Sequence, residues 1–99
     1  MAPIKPQDCE NMNQVRVEID RLDTALVELL SERHAYVQET VRLKADASEA
    51  NVPWRIEQVV ERVRAKADNV NVPADLCEAL WREMIAFNIR YEEAKLKDK

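Results

Sequence analysis

The feature that most constrains this chain is a helical stripe too long for the chain that carries it. Between Asn11 and Asp46 apolar residues recur at Val15, Ile19, Leu22, Leu26, Leu29, Leu30, Val37 and Val41. Steps of three and four are the period of one helix face. At 1.5 Å per residue, a helix over 11–46 is about 50 Å long. The chain has 99 residues, enough for one domain and little more. A compact domain of that size cannot cover such a helix along its whole length. The stripe therefore predicts a second copy of the chain lying against it.

The rest of the sequence agrees with an all-α fold. It has no Gly and four Pro, which suits helices joined by short connections. A break from Ser48 to Pro53 ends the first helix. Pro53 suits the first turn of a second, where its missing N–H costs nothing. Ile56, Val59, Val60, Val63 and Ala67 mark one face of that short helix. Asn69 to Val72 interrupts the pattern, and Pro73 suits the first turn of a third helix. This one carries Leu76, Leu80, Trp81, Met84, Ile85, Phe87 and Tyr91. There is no internal repeat. The expected organisation is a single domain over 1–99, with one long, one short and one medium helix and with 1–10 as a flexible arm.

Several function classes fall away on composition. Net charge is −4, and the only basic run is the terminal Lys95-Leu96-Lys97-Asp98-Lys99, read as a solvated tail. No nucleic-acid partner is expected. No segment has the apolar length to span a bilayer, and 1–10 lacks the apolar core of a signal peptide. Cys9 and Cys77 stand far apart, without metal-ligand spacing and with His34 as the one histidine. They read as idle or buried thiols in a reducing cytoplasm, and no metal site is expected.

The anomaly lies in the long helix, where charge interrupts the apolar stripe. Arg33 continues the line Leu26, Leu30, Val37, Val41, and Lys44 ends it. Eleven residues separate the two cations, close to three turns, so they project from nearly one side. Arg16 precedes Arg33 by seventeen residues and sits about 100° away around the helix. These are either ordinary surface cations paired with Glu28, Glu32 and Glu39, or a pocket for a carboxylate-bearing ligand. In the third helix Asn88 and Glu92 fall on the stripe of Trp81 and Ile85, one turn apart. They are either a helix edge drifting into solvent or polar groups aimed inward.

The ordered set is similar to the opening of the AroQ-class, all-helical chorismate mutases. Arg16, Ile19-Asp20, Leu22-Asp23, Leu29 to Arg33 and Lys44 stand in that order and spacing. The likeness continues through Arg55 into Leu80-Trp81 and Glu92, over roughly residues 10–95. The resemblance implies an intertwined homodimer with two equivalent sites and no cofactor. It implies that Arg33, Lys44 and Arg55 line the site of their own chain, and that Arg16 reaches in from the other chain. Lys44 and Glu92 would be the catalytic pair, with Arg16, Arg33, Arg55 and Asn88 binding substrate. Glu92 falls where most relatives have Gln and some have Glu.

The activity so implied is the isomerase reaction, chorismate to prephenate, in aromatic amino-acid synthesis. It is pericyclic and needs no nucleophile. The site must hold the enolpyruvyl group over the ring and stabilise charge growing on the ether oxygen. His34, next to Arg33, is not needed as a base and reads as a surface or interface residue. One departure keeps an alternative open. Many chorismate mutases have Glu directly after the second-helix Arg, and here that residue is Ile56. Ile56 and the loop from Lys44 to Arg55, with its Ala47-Ser48-Glu49-Ala50 and Pro53, look more like the isochorismate-pyruvate lyases of the same family, although those carry Gln where Glu92 stands. The reading from a different class is a helical dimer that binds acids or a protein and catalyses nothing.

Overall fold

The computed structural model describes residues 2–98. Among them there are three α-helices and two short 3-10 turns, and no strand. The helices are α1 (Met12–Leu43), α2 (Pro53–Asn69) and α3 (Ala74–Leu96). The all-α expectation holds, with one long, one short and one medium helix. Among the described residues no helix is long and apolar enough to cross a membrane. The chain divides into two compact units, Met1–Tyr36 and Val37–Lys99.

In the first unit a 3-10 turn at Pro6–Asp8 precedes α1. Asn11 starts the helix by accepting the Gln14 N–H at 2.9 Å, while the Gln14 side chain takes the Glu10 N–H at 2.7 Å. One of the amides left over at the helix start and the amide just before the cap are thereby satisfied. The Ile4 N–H reaches Glu18 Oε2 at 3.3 Å, and Arg21 Nε donates to Glu18 Oε1 at 2.8 Å. The Arg21 bond, then that from Ile4, holds the Glu18 carboxyl below the usual carboxylate range. No residue of α1 is buried. Leu22, Leu26, Leu29 and Leu30, the heart of the stripe, all stand exposed in the chain taken alone.

The second unit holds the small core. Ala50, Val60, Ala67 and Leu96 are its buried apolar residues, contributed by α2, α3 and the segment that leads into α2. The face predicted for the second helix is the one that packs: Val60 and Ala67 are buried, and Ile56, Val59 and Val63 are half-buried. A 3-10 turn at Ala47–Glu49 packs on α3, as does α2. Asp46 caps this turn, taking the Ser48 N–H at 2.9 Å, while Glu49 reaches back to the Ala45 and Asp46 amides. Ser48 donates its hydroxyl as well, and these bonds hold the Asp46 carboxyl below its usual range.

Three boundaries differ from the sequence reading. The long helix ends at Leu43, not at Asp46, because Asp46 is extended and caps the next turn instead of continuing the last one. Pro53 does open α2, but Pro73 is the residue before α3, which starts at Ala74. Between the two helices Asn71 takes φ 63°, in the left-handed region that Asn tolerates better than most residues. The terminal basic run is no solvated tail. Helix α3 carries through it to Leu96, the most buried side chain described, with Lys95 and Lys97 exposed on either side. Lys99, the last cation of that run, lies outside the described residues.

Candidate active site

The second unit brings two of the predicted site residues into contact. Lys44 stands one residue past α1, where its backbone N–H still bonds to the Thr40 carbonyl at 2.9 Å. Its side chain is thus launched in the direction of the last helical turn. The ammonium meets Glu92 Oε1 at 2.9 Å, across from α3. The Glu92 side chain keeps 9% of its exposure and that of Lys44 25%. Glu92 is the one buried charged residue among those described. The solvent-edge reading of this part of α3 does not hold: its polar stripe turns inward.

Burying a carboxylate is costly unless it is paired and hydrogen-bonded, and Glu92 is both. The second bond comes from a residue the sequence reading passed over. Thr40 Oγ1 lies 2.6 Å from Glu92 Oε1 and 2.6 Å from the Val37 carbonyl oxygen. A signal for it was present. Thr40 precedes Lys44 by one turn and follows Arg33 by two, so it is a polar residue on the same interrupted stripe. What the stripe does not show is that a residue of α3 would meet it.

The other candidates are less gathered. Asn88 is half-buried on α3, one turn before Glu92. Arg55 is exposed in the first turn of α2, where its Nη1 donates to Gln58 Oε1 at 2.6 Å. Neither bonds to Lys44 or Glu92. Arg16 and Arg33 belong to the first unit, Arg16 exposed and Arg33 half-buried. Among the described residues neither forms an ion pair, so the Glu28 and Glu32 partners of the surface-cation reading are not engaged. Glu39 pairs instead with Arg42 at 2.6 Å. The described residues hold no cluster of three or more side chains suited to a metal ion.

A lysine against a buried carboxylate can perform a limited set of tasks. The ammonium can place positive charge and hydrogen bonds on an oxygen that becomes anionic. The carboxyl accepts when ionised and can donate when protonated. Two groups bonded to each other cannot flank a third atom from opposite sides at the same time. A ligand oxygen must either separate them or meet both from one side.

Residues 15–93 match the family described as chorismate mutase type II. The chain is also 32% identical over 85 residues to the isochorismate pyruvate lyase of Pseudomonas aeruginosa, an alignment covering 85% of this chain and 83% of that protein.

Proposed function

We propose, on the premise that this chain belongs to the chorismate mutase type II family, that it rearranges chorismate to prephenate. The observation that carries the reading is the half-buried Lys44 held 2.9 Å from Glu92. The reaction breaks the ether C–O bond as a C–C bond forms between the enolpyruvyl methylene and the ring. Negative charge grows on the ether oxygen, and no group need attack it covalently. Lys44 donates to that oxygen. Glu92, when protonated, donates to it as well. Arg33 and the partner subunit's Arg16 bind the two carboxylates, Arg33 from the site's own chain, with Arg55 and Asn88 at the ring.

This reading includes a homodimer. Helix α1 buries none of its residues within one chain and exposes Leu22, Leu26, Leu29 and Leu30 along one stripe. Contiguous apolar surface of that kind marks an interface. A second copy brings an identical stripe and, with it, Arg16. Cys9 and Cys77 are free thiols, which suits a reducing cytoplasm.

A second reading has its own support. The Pseudomonas aeruginosa relative is named for isochorismate and pyruvate, and a half-buried Ile56 follows Arg55 where a carboxylate is common in mutases. In the lyase reaction a ring hydrogen moves to the enolpyruvyl methylene as the ether bond breaks, giving salicylate and pyruvate. The same cationic clamp serves it. Purified protein incubated separately with chorismate and with isochorismate, followed by ultraviolet absorbance, tests both. Loss of chorismate with formation of prephenate is expected. Turnover of isochorismate alone would establish the lyase, and turnover of neither would leave a binding module.

A further inference from the structure

Thr40 is in contact with the site acid, and none of the chemistry above uses it. Its hydroxyl carries one proton and can accept two hydrogen bonds. Two oxygens lie 2.6 Å away, Val37 O and Glu92 Oε1. Val37 O can only accept. If Glu92 is ionised it too can only accept, and the one Thr40 proton is shared between them or drawn to the carboxylate. If Glu92 is protonated it donates to Thr40, and Thr40 donates to Val37 O. A hydroxyl in this place therefore bonds to Glu92 in both of its charge states by rotating, without movement of either side chain. An aliphatic group of similar size could not do so.

Lys44 cannot fill that role alone. Its ammonium only donates, so it grips the ionised carboxyl strongly and the neutral acid weakly. Thr40 and Lys44 lie one turn apart on the same face and both reach Glu92 Oε1. One carboxyl oxygen is thus held by two groups, from successive turns. We infer that Thr40 is a positioning residue for Glu92, holding the acid in one orientation whether or not it carries its proton. The inference deepens the reading of Glu92 as the acid of the site and depends on that reading for its effect on rate.

Two substitutions separate the hydroxyl from the space it fills. Thr40→Val keeps the shape and removes the hydroxyl, and Thr40→Ser keeps the hydroxyl. Each is made in the wild type and in a Glu92→Ala background, and kcat and KM are measured on whichever substrate is consumed. Losing one hydrogen bond that holds the acid corresponds to a fall of about tenfold in kcat for Thr40→Val. KM should stay within about twofold, and Thr40→Ser should recover most of the loss. In the Glu92→Ala background Thr40→Val should cost less than about twofold, because nothing is left to position. An equal loss in both backgrounds, or Thr40→Ser no better than Thr40→Val, overturns the inference. Thr40→Ala supplies the same comparison if Thr40→Val does not fold. Urea unfolding of the same set needs no turnover. Strict additivity of Thr40→Val and Glu92→Ala in stability would overturn the contact even if the protein consumed neither substrate, an outcome that by itself would end only the catalytic reading.

Discussion

Arg82 takes Glu57 in a two-pronged grip, Nη1 at 3.2 Å from Oε1 and Nη2 at 2.9 Å from Oε2, and so ties α3 to α2. Its Nε donates to Glu78 at 2.6 Å, and Glu78 also takes Arg64 Nη1 at 2.8 Å. Arg64 reaches Asp75 at 2.9 Å as well. The result is a connected charge network between the two helices that form the small core. Single exposed pairs contribute little, but a forked pair inside a network fixes geometry.

That network makes the fold sensitive to acid. The Arg82 bonds hold both Glu57 and Glu78 below the ordinary carboxylate value of 4.5, and Arg82 itself is held above its usual range, first by Glu57. A carboxyl with a depressed value in the folded chain stabilises above its unfolded value and loses that contribution as pH falls through the folded one. Arg82→Gln should therefore lower the melting temperature at pH 7 by more than it does at pH 3. Helical circular dichroism melts at the two pH values read this directly. An equal effect at both would mean that the pairs contribute nothing beyond packing.

The C-terminal segment should prove structural. Leu96 is 2% exposed, in the last turn of α3. Truncating a buried Leu to Ala costs about 2–5 kcal/mol through lost transfer energy and the cavity left behind. With a core this small, Leu96→Ala should melt well below wild type in a thermal-shift assay, and the exposed Lys97→Ala should melt at the wild-type temperature. Matching melts for Leu96→Ala and wild type would mean the segment is not held.

How much of this was legible in the sequence depends on the range of the interaction. Val60 and Ala67 could be placed inside because one helix face is a property of spacing alone. Glu92 was visible as an anomaly on the stripe of Trp81 and Ile85, but its burial depends on what packs opposite. Leu96 follows Glu92 by four residues and so continues that stripe, but the lysines on either side made it read as part of a solvated tail. Asp46 looked like helix because apolar spacing does not show a local cap, here made by the Ser48 N–H and hydroxyl and closed by Glu49. Thr40 to Glu92 spans 52 residues of chain, and no local pattern encodes that pairing.

Lys44→Ala tests the catalytic assignment. Removing a donor aimed at a developing oxyanion costs about 10²–10³ in turnover. It also leaves the carboxyl of Glu92 without its ammonium partner. Turnover should fall into that range on the consumed substrate while the circular dichroism spectrum stays helical. A rate close to wild type would show that the chemistry lies elsewhere.

Shared sites in a homodimer allow a complementation experiment. Arg16→Ala and Lys44→Ala should each be nearly inactive as pure proteins. In a mixed dimer one site carries both lesions and the other neither. Mixing with subunit exchange verified by mass should return about a quarter of wild-type activity, since half the dimers are then mixed and each has one intact site. Sedimentation of the active protein should show a dimer at micromolar concentration. An active monomer, or no recovery after exchange, would remove the partner subunit's Arg16 from the site.

Glu92→Gln tests the protonation state that the reaction needs. The Glu92 carboxyl is nearly buried and faces Lys44 and Thr40. Its ionised form has no proton to give an ether oxygen, and its acid form has one. Loss of that proton removes a donor from the transition state. A Gln amide donates at every pH and has nearly the same shape. Glu92→Gln should therefore keep turning substrate over and hold its rate within about threefold between pH 5 and pH 8. A Glu92→Gln protein dead at every pH would show that Glu92 is not the neutral donor.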